Sequence, residues 1–273
     1  MMAMKELNGR ELAGYIKERQ AKAVRGLRQA HNVIPKLAII RTNPDPVVDS
    51  YMRIKQSYGD DVLVDVDVHT IKQSDALATI ERLNNDTQVH GIIVQIPLPD
   101  PTQTQQILDA VAPNKDVDGL ASNTLFDPAT PMAIQWLLAG YGVELASKNI
   151  VIVGVGRLVG KPLARIWKAS KLHVTTVDKS SANVAAITKA ADVLVCATGV
   201  AGLVTADMVS PHAVIVDAGV ATDNNGLVGD VAQSVRDIET ITITPEKGGV
   251  GPLTVSALFE NVITAARATV TVR

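Results

Sequence analysis

Ile150-Val151-Ile152-Val153-Gly154-Val155-Gly156-Arg157-Leu158-Val159-Gly160, followed by the helical pattern of Pro162–Lys168, is the stretch whose reading decides the fold. An unbroken β-branched run reads as a buried strand, and glycines where it stops let the backbone turn sharply and approach a ligand closely. A helix starting just beyond aims free N–H groups and the positive end of its dipole at the turn, which suits a pyrophosphate. The spacing is GxGxxxG, one residue longer than the usual dinucleotide fingerprint, and an ordinary tight strand-to-helix turn would use the same residues. Asp178 at the end of the following strand favours the dinucleotide, because an acid there can accept bonds from both ribose hydroxyls of an adenosine. Alone, these residues mean an oxidoreductase or a nucleotide sensor.

Working outward, strand patterns at Asn149–Val153, His173–Val177, Asp192–Ala197 and Ala213–Asp217 follow a helix at Pro131–Tyr141. Upstream, the pattern predicts a helix over Asn8–Gln29, a strand at Leu37–Ile40, a turn at Asn43–Pro46 and a helix around Val48–Tyr58. It continues with a strand at Val62–Val68, a helix at Ser74–Asn84 and a buried strand at Gly91–Gln95, and the chain ends on a helix at Thr254–Thr269. Such alternation predicts an α/β fold with mainly parallel strands.

The 273 residues, 47% hydrophobic and 20% charged, are enough for two ordinary domains with buried cores. A net charge of −2 supplies no basic field for nucleic acid or an anionic membrane surface. No apolar run approaches the length of about 18 residues that spans a bilayer, and the N-terminus has no signal-peptide pattern. With Cys196 the sole cysteine, no intrachain disulfide can form, and the simplest expectation is a cytoplasmic protein. The histidines His31, His69, His90, His173 and His212 are scattered, so no metal site is expected.

Three further stretches carry chemistry. Tyr51 and Lys55 lie four apart, which puts a phenol and an amine on one helix face, although an exposed lysine beside a half-buried tyrosine fits equally well. Gln95 ends an apolar strand just before Ile96-Pro97-Leu98-Pro99, where α/β sheets expose ligand-facing groups, or where a glutamine simply bonds a loop. Lys115-Asp116-Val117-Asp118-Gly119 places two carboxylates around what is otherwise a solvated bend.

In this order, these stretches resemble the FolD family of bifunctional methylenetetrahydrofolate dehydrogenase/cyclohydrolases, over nearly the whole chain. The match takes in Leu37–Tyr51, Tyr51-x-x-x-Lys55, Val94-Gln95-Ile96-Pro97-Leu98-Pro99, Lys115–Gly119 and Thr130-Pro131. It continues through Val159-Gly160-Lys161-Pro162, Gly229-Asp230-Val231 and Gly248-Gly249-Val250-Gly251-Pro252-Leu253-Thr254. The resemblance implies a catalytic α/β domain over residues 1–120, completed by a C-terminal helix at about 252–273, and a Rossmann-like NAD(P)-binding domain over 121–251. It also implies a folate cleft at the domain junction and a homodimer. By the same resemblance Lys55 is the central acid/base group, Tyr51 packs on the pterin, Gln95 tunes Lys55, and Asp118 holds the pterin's polar edge. Pro97, Pro252, Leu253 and Thr254 line the folate side, while Gly154, Val155, Gly156, Arg157, Gly160, Asp178 and Lys179 meet the cofactor.

The chain departs from the family's pattern at several places. Val48 stands for a common serine, Ala129 for a cysteine, and Glu246-Lys247 for Val-Pro before the double glycine. The nucleotide loop has Gly154-Val155-Gly156 for Gly-Arg-Ser, and Asp178-Lys179 follow the next strand in place of His-Ser. Those positions ordinarily help hold the extra phosphate of NADP, the family's default cofactor, so the local residues lean toward NAD, with Arg157 and Lys179 available to neutralise a phosphate. Three alternatives stay open: a silent NAD(P)-binding dimer, a dehydrogenase lacking the cyclohydrolase step, and a dehydrogenase for another small substrate.

Overall fold

Apolar β-branched runs become strands and the segments between them, apolar every three or four residues, become helices, in a computed structural model that describes residues 5–43, 46–223 and 226–270. The chain begins β1 (Lys5–Glu6), α1 (Gly9–His31), β2 (Lys36–Arg41), α2 (Pro46–Val62), β3 (Asp65–Thr70), α3 (Ala76–Asn85), β4 (Gly91–Val94) and α4 (Thr104–Asp109). It continues α5 (Ala129–Gly140), β5 (Ile150–Val153), α6 (Gly160–Ala169), β6 (Val174–Val177), α7 (Val184–Lys189), β7 (Val193–Cys196) and β8 (Val214–Asp217). It closes with β9 (Ala221–Asp223), β10 (Gly226–Val228), α8 (Gln233–Arg236), β11 (Thr242–Ile243) and α9 (Val250–Ala268). Two compact units result, Met1–Ala13 with Thr130–Thr254 and Gly14–Ala129 with Val255–Arg273.

The first unit holds a six-stranded sheet in the order β1-β11-β8-β7-β5-β6, every neighbour parallel. Ile150 pairs with Val174 on one side and Val193 on the other, so the chain leaves β5 for one neighbour and returns to the opposite one. That reversal opens a crevice beyond the ends of β5 and β7, where doubly wound sheets bind ligands. Both strands are buried along their whole length, as expected where helices cover both faces. Val151, Val153, Leu194, Cys196, Ile215 and Ile243 share one core cluster.

The second unit is built on a parallel sheet ordered β3-β2-β4, with Leu37 facing Val66 and Gly91. Ala38, Ile40, Ile80, Leu83, Ile92, Val94 and Ile107 form its core. The Tyr58 hydroxyl on α2 donates to Gln20 Oε1 (2.8 Å) and accepts from the Ser256 hydroxyl (3.0 Å), tying α1, α2 and α9, and the Tyr58 and Phe259 rings lie 4.8 Å apart. Burial pushes the Tyr58 phenol up to about 12, so it stays a donor.

Several elements differ from the sequence reading. The strand expected from Val62 starts at Asp65, because α2 runs through Val62 and Leu63 then takes a left-handed φ of 64°, letting Val64 N–H bond Gly59 O at 2.9 Å. The last helix begins at Val250, four residues ahead of Thr254. Strands β1 and β11 span two residues each, too short for any periodicity to register, and β9 and β10 form an antiparallel pair that alternation alone did not mark. The expected turn at Asn43–Pro46 includes Pro44 and Asp45, which lie outside the described residues. Among the described residues no helix is long and apolar enough to cross a membrane.

Candidate functional site

Each unit carries its own centre. In the six-stranded unit, β5 ends at Val153 and Gly154 takes a φ of +96°, a conformation that L side chains rarely adopt. A Cβ there would lie 2.5 Å from Ala197 O, and one at Gly160, the first residue of α6, would lie 1.8 Å from Gly154 O. These two glycines let the turn fold back on itself beside the end of β7. A Cβ at Gly156 would meet nothing within 4 Å, so the space before it is open. Val155 is 39% exposed, Arg157 and Lys161 on the same turn are exposed, and so is Lys179 after β6. The geometry fits a dinucleotide pyrophosphate: bare backbone, open space, and the start of α6.

Asp178 directly follows β6, and its Oδ1 accepts from Ser180 N–H (2.9 Å), Ser180 Oγ (2.6 Å) and Ser181 Oγ (3.3 Å). Those bonds, led by the Ser180 hydroxyl, hold its carboxyl below the usual range, so it is an anion at neutral pH.

In the three-stranded unit, α2 carries Tyr51 and Lys55 one turn apart, Tyr51 being 38% exposed and Lys55 half-buried. Lys55 Nζ donates to Gln95 Oε1 at 3.0 Å. Gln95 follows β4, its own N–H bonded to Ile40 O (2.9 Å) and its Nε2 to Ile96 O (3.0 Å), so its oxygen is held toward the amine. Burial lowers the Lys55 pKa, and the Asp118 carboxylate pulls it partly back. Burial likewise raises Asp118, with Lys55 opposing and Asp116 reinforcing. Burial thus disfavours the charged form of both the amine and the carboxyl, which makes the pair a candidate for proton transfer.

The loop carrying Asp118 is fixed from two sides. Ile92 N–H donates to Lys115 O (2.7 Å), and Asn261 Nδ2 donates to Val117 O (2.9 Å) and Asp127 O (3.0 Å). Of the two carboxylates in Lys115–Gly119, Asp118 is the one whose charge acts on Lys55. Asp116 is buried and caps its own turn, accepting from Ala121 N–H at 2.9 Å, while Lys115 caps α3 through Leu83 O (2.9 Å) and Asp86 O (2.7 Å).

Pro97 is exposed two residues past Gln95, after a cis Ile96-Pro97 bond. Pro252, Leu253 and Thr254 fall within the first five residues of α9, in the unit of the six-stranded sheet. There Thr254 Oγ1 bonds Val250 O (3.2 Å) and Thr130 Oγ1 (3.4 Å), and Leu253 is 0% exposed, so its side chain serves the core. The side chain of Val48 lies outside the described residues. Glu246 is exposed, 3.9 Å from Arg236 Nε. The sequence reading missed Asn261 and the Thr198-Gly199-Val200 turn after β7. The only signal for the turn was a glycine just past a buried strand.

The family model "Tetrahydrofolate dehydrogenase/cyclohydrolase, catalytic domain" matches residues 7–118, and "Tetrahydrofolate dehydrogenase/cyclohydrolase, NAD(P)-binding domain" matches residues 128–270. A "Bifunctional protein FolD" of Exiguobacterium sibiricum is 36% identical over 96% of this chain and 99% of its own. The structure of a bifunctional FolD enzyme from Campylobacter jejuni is similar with a TM-score of 0.91 and 32% identity, covering 98% of this chain and 100% of that one. A Trypanosoma brucei methylenetetrahydrofolate dehydrogenase-cyclohydrolase, complexed with NADP and an inhibitor, gives 0.91 at 28% identity over 99% of each chain.

Proposed function

The chain belongs to the tetrahydrofolate dehydrogenase/cyclohydrolase family and acts in one-carbon folate metabolism, and from that premise we propose that Lys55, Gln95, Asp118 and Tyr51 form its folate centre and the Gly154–Gly160 turn its dinucleotide centre. The enzyme oxidises 5,10-methylenetetrahydrofolate to the methenyl form and then hydrolyses that to 10-formyltetrahydrofolate. When bound, the nicotinamide dinucleotide supplies the hydride acceptor.

The observation that carries the reading is the desolvated Lys55 amine held 3.0 Å from Gln95 Oε1. Oxidation leaves a delocalised cation that needs alignment more than it needs a base. Hydrolysis does need proton transfer. Water attacks the methenyl carbon and passes one proton to the neutral form of Lys55. As the carbon–nitrogen bond then opens, Lys55 returns that proton to the departing ring nitrogen, and the carbinol hydroxyl releases its own proton to solvent as it becomes the formyl carbonyl. A lysine of ordinary pKa would be protonated at neutral pH and could not take the first proton, so the burial that lowers it is functional. Asp118 accepts from the donor-rich edge of the pterin, and the exposed Tyr51 ring offers a stacking face.

The same reading assigns NAD as the preferred dinucleotide. Asp178 is anionic and stands where the 2′ position of the adenosine ribose binds in such folds, so it accepts from a free hydroxyl and repels a phosphate. Val155 offers no charge in compensation, though Arg157 and Lys179 stand nearby in sequence. The homodimer implied by the family resemblance belongs to this reading too, and sedimentation measures it.

A spectrophotometric assay with methylenetetrahydrofolate and each dinucleotide, followed through methenyl formation and decay, tests the whole. The expected result is both phases, with the higher kcat/KM for NAD. Absence of methenyl formation with either dinucleotide overturns the assignment, and a preference for NADP of about tenfold or more overturns the cofactor part.

A further inference from the structure

The turn after β7 is the second wall of the β5 crevice: a Cβ at Gly154 would lie 2.5 Å from Ala197 O and 3.0 Å from Thr198 Cγ2. That turn is held by a carboxylate distant in sequence. Asp230 is 0% exposed, and accepts from Thr198 N–H through Oδ2 at 2.5 Å and from Val200 N–H through Oδ1 at 3.1 Å. Between them Gly199 has a φ of +70°, so the two N–H groups converge on a concave nest of the kind that captures anions. The two side-chain oxygens of Asp230 fill this one.

Asp217, the last residue of β8, positions Asp230 in turn. Its Oδ1 accepts from Asp230 N–H (3.0 Å) and Gly219 N–H (3.1 Å), and its Oδ2 from Val231 N–H (3.1 Å) and Arg236 Nη2 (3.4 Å). A Cβ at Gly219 would lie 1.9 Å from Asp230 Oδ1, so the carboxylate is packed flat against backbone and has nowhere to swing. Cysteine chemistry plays no part, since burial pushes the Cys196 thiol far up and leaves it inert.

We propose that Asp230 is a positioning residue of the dinucleotide centre: by filling the Thr198–Val200 nest from behind, it fixes how those peptide groups face the crevice and thereby sets dinucleotide affinity. The proposal rests on the reading of that crevice as the dinucleotide site. A carboxamide at position 230 keeps one acceptor oxygen but turns an NH2 toward the other N–H, leaving a donor facing a donor. The turn then shifts and the crevice loses its shape, while the Lys55 centre keeps all of its own bonds.

The test is calorimetric titration of NAD and NADP into the wild type and Asp230→Asn, with hydrolysis of methenyltetrahydrofolate, which consumes no dinucleotide, measured on the same preparations. The expected result is a Kd for the better-bound dinucleotide raised about tenfold or more in Asp230→Asn, with hydrolysis unchanged. An equal Kd in the two proteins overturns the proposal. A wild type that binds neither dinucleotide overturns instead the reading on which it rests. If Asp230→Asn does not fold, amide exchange in the wild type decides. Protection of Thr198 and Val200 without dinucleotide supports the proposal, and exchange at open-loop rates overturns it.

Discussion

Around the Gly154 turn of the six-stranded unit the backbone does the work, whereas in the three-stranded unit the work falls to the side chains of Lys55, Gln95 and Asp118. The difference decides what each centre tolerates. At the turn almost any side chain fits at Val155, which is exposed, but a single methyl group at Gly154 or Gly160 collides with main-chain atoms. At the Lys55 centre, shape alone is not enough. The amine is useful because burial lowers its pKa, and the nearby carboxylate sets how far.

The largest effect is expected from Lys55→Met, which keeps the apolar stem and removes the proton carrier. Methenyltetrahydrofolate hydrolysis is expected to fall by about 10²–10⁴-fold, with dinucleotide affinity unchanged, in rate and calorimetric measurements on one preparation. Next comes Asp118→Ala. Lost bonds to the pterin edge cost roughly 1–3 kcal/mol each, so folate affinity should drop by about 5- to 150-fold. Unchanged folate binding in a fluorescence titration would detach this loop from the substrate.

At the dinucleotide centre the expected effects are smaller, because backbone contacts survive most substitutions. Asp178→Ser removes the repulsion of the ribose phosphate and should move the NAD-to-NADP ratio of kcat/KM toward NADP by about tenfold. A ratio that does not move would show that the carboxylate, held by Ser180 and Ser181, faces away from the ligand. Smallest of all is Gly156→Ala. Its Cβ meets nothing within 4 Å and its φ is not positive, so thermal unfolding should report a stability within about 1 kcal/mol of wild type. Gly160→Ala, by contrast, should destabilise the fold measurably.

What could be read from the sequence follows the same division. Strands such as Ile150–Val153 and Gly91–Val94 were legible because burial on both faces demands unbroken apolar runs. Lys55 and Tyr51 were legible as a helical pair, since spacing of four fixes a common face. Bonds between residues far apart in sequence leave no local trace. Gln95 Oε1 meeting Lys55, Asn261 pinning the Asp118 loop, and Asp230 holding Thr198 each join segments that only the fold brings together. The same limit explains Lys115 and Asp116, whose charges looked chemical in a row of letters and are spent on capping.

The ionisation of Lys55 decides whether this centre can hydrolyse its substrate, and nitrogen NMR of the side-chain amine measures it directly across pH in the wild type and in Asp118→Asn. Burial lowers this amine and Asp118 raises it, so the midpoint should lie below the ordinary lysine value in the wild type and lower still once the carboxylate is neutralised. The acid limb of the hydrolysis profile should move in the same direction, because the proton-accepting form then persists to lower pH. A wild-type midpoint at or above the ordinary lysine value would contradict the account, since an amine charged throughout the working range could not take the proton from the attacking water.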